Sequence, residues 1–175
     1  MRREGVKLTD YTNHNELKEA YVLIEQSRLK LWQALNPAIE PGEEFQMLQD
    51  TLIKTEEING VIKITVDDIL PRDVGLPKAP LKLHWLGMMH HALKNVDRRF
   101  DKVLCVIRVY SPASYWDVDN RAYKYIIDSL RYNKLIKDDR QNYLSFMVLG
   151  EMDKEHPRTE IYIMEHPKTL NLIPD

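Results

Sequence analysis

The run 115–141, YWDVDNRAYKYIIDSLRYNKLIKDDRQ, constrains this chain more than any other stretch, because it gathers several carboxylates around one short amphipathic segment. Asp117 and Asp119 lie two residues apart, so an extended backbone sends both to the same side. A second acidic pair, Asp138-Asp139, follows after about five helical turns' worth of chain. Two acids about 5 Å apart repel by roughly 3 kcal/mol at an effective dielectric near ~20, so such a cluster calls for a cation. Helix capping explains Asp117 and Asp119 taken alone, since a carboxylate before a helix accepts its free N–H groups. Together with Asp138-Asp139 and the Lys124/Asp128 spacing, a divalent metal is the expected occupant. Asp138 and Asp139 point to opposite sides of an extended backbone, so only one of them readily joins the site. Asp128, four residues after Lys124, is expected in an outer layer around it.

The rest of the pattern reads as a mixed α/β (α+β) chain. Over 15–35 the apolar residues Leu17, Ala20, Tyr21, Ile24, Leu31 and Leu35 recur at helical steps, and Asn36-Pro37 stops them. A shorter helix is expected over 43–54, and Asn59-Gly60 is a strong turn signal. The expected division is therefore an N-terminal helical extension over 1–58, a domain over 59–167 and a tail over 168–175. Strands are expected over 61–66, 102–110, 143–149 and 159–164, and helices over 81–95, through Leu83, Leu86, Met89 or His90, and Leu93, and over 120–132, with Ala122, Ile126, Ile127 and Leu130 inward. The continuous apolar run 103–107 predicts a strand covered on both faces, and Cys105 within it reads as a buried small hydrophobe. The seven-residue spacing of His84 and His91 puts them on one helix face, without the four-residue step of a zinc-protease helix.

With 175 residues, one core plus an appendage is the default. A net charge of -2 and a pI near 6.3 lack the simple basic signature of a nucleic-acid binder. Arg72, Lys78, Lys82, Lys94, Arg98 and Arg99 could still form a local positive surface. No apolar run is long enough to span a bilayer and no secretory leader pattern opens the chain, so the cytoplasm is the expected compartment and a membrane is not an expected partner.

The order Asp117-Val-Asp119-Asn120, Lys124, Asp128-Ser-Leu130 and Asp138-Asp139-Arg140-Gln141 resembles the RusA family of Holliday junction resolvases. The resemblance spans roughly residues 61–165. It implies a RusA-like domain, a homodimer, and a magnesium-dependent endonuclease that nicks four-way DNA junctions in recombination and repair, with Mn²⁺ as a possible substitute. Asp117, Asp119 and Asp139 correspond to the family's metal acids and Lys124 to its essential lysine, leaving Asp128, Asp138 and Asn120 around them. Lys124 stands one residue further from Asp119 than the family pattern places it, so the interval 121–123 must absorb an insertion if the lysine is to face the metal. Tyr115, Trp116, Tyr123 and Tyr125 flank the acids and could stack on splayed bases, although core packing explains most of them equally well. The shifted lysine, the acidic net charge and the extension favour the alternative of a weak or inactive DNA-binding or assembly module with the same fold. A metal nuclease acting on flaps or single strands is a third reading.

Overall fold

The computed structural model describes residues 14–35, 53–72, 78–112 and 118–168. Their order is α1 (His14–Leu35), β1 (Ile53–Ile58), β2 (Val61–Val66), α2 (Lys78–Leu93), β3 (Val103–Ser111), α3 (Lys124–Tyr132), β4 (Leu144–Met152) and β5 (Arg158–Glu165). The strands form one five-stranded mixed sheet in the order β1-β2-β5-β3-β4. The α+β class is thus established, with three helices among the described residues.

Asn59 and Gly60 both adopt positive φ, 52° and 79°, as a type I′ hairpin turn requires. The turn closes the β1–β2 hairpin with Ile58 opposite Val61. The turn expected there is present, but it joins two strands of one sheet, so the boundary drawn between 58 and 59 cuts a hairpin. Of the helix expected over 43–54, residues 53 and 54 are strand and the others lie outside the described residues. The sequence IKTEEI hides this strand, because an edge strand needs few apolar residues and charges guard its free side.

β3 and β4 are parallel neighbours with α3 as their crossover, while every other pairing is antiparallel. Along β2, Ile62, Ile64 and Val66 alternate into the core with half-buried Val61, Lys63 and Thr65. The core joins these residues to Val103, Cys105, Ile107 and Val109 of β3 and to Trp85, Met88 and Met89 of α2. The buried residues of α2 are Leu81, His84, Trp85, Met88, Met89, Ala92 and Leu93, so Met89 and Leu93 of the expected stripe face inward while Leu83 is 58% exposed. Leu81, Trp85, Met88 and Ala92 keep a helical period as well, and over the first two turns this stripe faces the sheet in place of Leu83. Burial pushes the Cys105 thiol up to about 12, which fits its packing role.

α1 forms as expected but turns a different face inward. Ile24 and Leu31 are 64% and 62% exposed, and the helix instead sets Val22 against the core. Two polar anchors hold it: the Arg28 guanidinium donates to Asp68 Oδ2 at 2.6 Å, and Tyr21 Oη accepts the Arg72 backbone N–H at 3.1 Å. No helix among the described residues is long and apolar enough to cross a membrane.

Candidate functional site

α3 begins at Lys124, four residues later than the pattern predicts. The delay has a local cause. Arg121 bridges Arg72 through its backbone, and the Ala122 N–H donates to Pro71 O at 2.9 Å. The Arg121 side chain is 4% exposed and donates to Leu70 O at 2.8 Å and Ser111 Oγ at 3.1 Å. These bonds hold residues 121–123 outside the α-helix, and Lys124 takes its first position. Sequence reasoning missed Arg121, and its one signal was a charged residue directly after the acidic motif.

Upstream, Gly150 allows the Val118 side chain to lie on β4, because a Cβ at Gly150 would stand 2.6 Å from Val118 Cγ2. Asp119 follows directly and is exposed. Asp119, Asn120, Lys124, Asp128 and Asp139 line one open cavity of about 470 Å³. Its apolar wall includes Phe146, whose ring meets Tyr123 with centroids 5.5 Å apart. Asp128 is 8% exposed, and Lys124 Nζ approaches its Oδ1 at 3.4 Å.

Asp138 turns away from this cavity. Its Oδ1 accepts the Asp139 backbone N–H at 2.9 Å, and its Oδ2 pairs with Arg140 Nε at 2.9 Å. The bond from the Asp139 backbone, with the nearby Arg140 charge, holds the Asp138 carboxyl below the usual carboxylate range. Asp117, Tyr115 and Trp116 lie outside the described residues, and Tyr125 is buried in the core.

His84 and His91 do not meet at a zinc site. His84 Nε2 lies 3.3 Å from Asp68 Oδ2, within the anchor of α1, while His91 lines a separate cavity beside β1. The six expected surface cations do not make one free patch either, because Arg98 is bound to Glu57 at 2.7 Å and to Gly60 O at 2.9 Å. No nucleophile with a base faces the acidic cavity from the residues named: Cys105 is buried, and the Ser129 hydroxyl donates to Ile126 O. The chemistry open to this cavity is the binding of a hard cation by carboxylate oxygens, with one ammonium beside it.

No family model and no curated protein matches this chain. Among solved structures it is similar to the periplasmic domain of Helicobacter pylori MotB, with a TM-score of 0.38 and 14% identity over 69% of this chain and 86% of that one. It is also similar to the cell wall anchor of the T6SS from Pseudomonas aeruginosa, with a TM-score of 0.38 and 12% identity over 68% of this chain and 92% of that one. At these values the likeness assigns no ligand to this chain. The expectations that rested on the resemblance are corrected: no family model matches the chain, and the structures found similar are a periplasmic domain and a cell wall anchor. RusA membership, endonuclease activity on junctions or flaps, the DNA-binding or assembly alternative, branched DNA and a homodimer as partners, and a cytoplasmic location are not retained.

Proposed function

We propose that this chain is a divalent-cation-binding domain whose site is the cavity lined by Asp119, Asp128 and Asp139. The observation that carries this reading is Asp128, a carboxylate with an 11% exposed side chain whose one close cation among the described residues, Lys124, has a side chain 73% exposed. An ammonium so open to water compensates a buried carboxylate poorly, and a second positive charge offsets the cost of burial. The donor set is all oxygen, which suits Mg²⁺ or Mn²⁺ better than zinc. Among the described residues no three acidic, histidine or cysteine side chains stand close enough to form a ready metal cage. Mg²⁺ tolerates this, because it keeps several of its waters and needs only one or two direct carboxylates. Asp119 and Asp139 are the direct ligands in this reading, Asp117 is the further candidate from the sequence, and Asp128 receives bound water. Asn120 and Lys124 then face whatever anionic group the cation carries.

A thermal melt across a Mg²⁺ or Mn²⁺ titration tests it. A ligand that binds only the native state raises the melting temperature progressively with concentration. The rise is expected in the wild type and in Asp138→Asn, and is expected to be largely lost in Asp119→Asn and Asp139→Asn. Equal shifts in all four proteins would remove the cation from this cavity.

A further inference from the structure

At the opposite end of α3 the charge reverses. Arg99, Arg131, Lys134 and Lys137 line a second cavity of about 470 Å³, in which Asp101 is the one acidic residue among the described lining residues. Among the described residues none of the four cations forms a salt bridge; Asp138 senses Arg131, but its carboxylate is engaged by Arg140. A helix C-terminus favours nearby cations, which accounts for Arg131. It does not account for Arg99, which arrives from the loop before β3, or for Lys137 beyond the helix.

The backbone around the cavity is held in place before any ligand arrives. The Phe100 N–H donates to Leu135 O at 2.8 Å and ties the two walls together. α3 ends in a Schellman motif, with the Leu135 N–H on Leu130 O and the Lys134 N–H on Arg131 O, both at 2.9 Å. The residue after the cap, Lys134, has φ of 62°. Glycine takes that conformation without steric cost and a lysine does not, so the chain keeps a cation here against its own backbone preference. Leu135 and Ile136, 0% and 4% exposed, anchor this turn in the core.

We infer that this cavity binds a small anion bearing phosphate groups, of the size of a di- or triphosphate, through Arg99, Arg131, Lys134 and Lys137. The two guanidinium forks match phosphate oxygens in pairs, and the two ammonium groups add unpaired charge beside them. The volume is in the range of small-ligand sites.

The test is calorimetric titration of the full chain with inorganic pyrophosphate and tripolyphosphate, at fixed ionic strength and in buffer stripped of divalent cations. Its outcome is then independent of the acidic cavity. Saturable binding is expected in the wild type. Lys134→Gly is expected to melt no lower than the wild type, because glycine relieves the left-handed backbone, and yet to bind about fivefold more weakly. The pair Arg99→Gln with Arg131→Gln is expected to weaken binding more than about tenfold, and Lys94→Gln, an exposed cation outside this cavity, to leave it unchanged. No saturable binding by the wild type, unchanged affinity in Lys134→Gly and the arginine pair, or an equal loss in Lys94→Gln would each overturn the inference.

Discussion

On the face of the sheet that carries α2 and α3, Ile62, Ile64, Ile107, Ile161 and Ile163 are at most 1% exposed. One residue along the same strands, the opposite face carries Lys63, Arg108, Tyr110, Glu160 and Tyr162. At its centre Glu160 is 5% exposed, and it accepts from Tyr162 Oη at 2.5 Å, Arg158 Nε at 2.9 Å and Tyr110 Oη at 3.3 Å, with Lys63 Nζ at 3.5 Å. The Arg158 guanidinium also lies 3.7 Å from the centre of the Tyr110 ring. Desolvation pushes the Glu160 carboxyl up, but the bonds from Tyr162 and Arg158 and the charges of Lys63 and Arg158 outweigh it and hold the group below its ordinary range. The first face is stabilised by area removed from water, which has no direction. The second depends on geometry and on protonation, so the two respond to different perturbations.

The largest effect is expected from Trp85→Ala, which empties a fully buried position on the covered side. Such truncations cost about 3–5 kcal/mol, so chemical denaturation should show a midpoint far below that of the wild type at every pH. A loss below about 1 kcal/mol would mean that the covered side is not the main source of stability.

Glu160→Gln tests the other side. The amide keeps the shape and loses the charge shared by Lys63 and Arg158, for an expected loss of about 1–3 kcal/mol at neutral pH. The folded carboxyl is held below its unfolded value, so its contribution is complete above the unfolded pKa and is lost as pH falls through the folded one. The gap between wild type and Glu160→Gln should therefore narrow below about pH 4. A gap that stays constant into acid would assign the effect of the substitution to packing instead of charge.

The smallest effect is expected at the sheet edge. Lys54 and Glu56 pair at 2.8 Å, with side chains 70% and 36% exposed. Lys54→Gln should change stability by less than about 0.5 kcal/mol, because water screens an open pair. A larger loss would show that ion pairs matter here even without burial.

Short-range patterns in the chain were sufficient for much of the architecture. The helix α1, the strands β2 to β5 and the Asn59-Gly60 turn follow from apolar period, β-branched content and the φ demands of a two-residue turn. The inventory of acids around α3 was also legible, because a cluster of carboxylates in one run is a local fact. Which of them meet was not. Asp138 and Asp139 are adjacent, yet only Asp139 lines the acidic cavity, and the choice comes from the bonds Asp138 makes to Arg140 and to the Asp139 backbone.

Tertiary structure decided everything that depends on partners distant in the chain. β1 is a strand because β2 pairs with it, and α2 buries Trp85 instead of Leu83 because the sheet takes one of two helical stripes. Arg121 delays α3 through bonds to Leu70 and Ser111, and Arg99 and Lys134 line one cavity where two loops are tied through Phe100 and Leu135. The sequence by itself determined the local periods and the chemical groups available, because backbone sterics and hydrophobic spacing act within a few residues. The pairing of those groups was left to the packed chain, where long-range hydrogen bonds and burial select one arrangement among several that the local pattern allows.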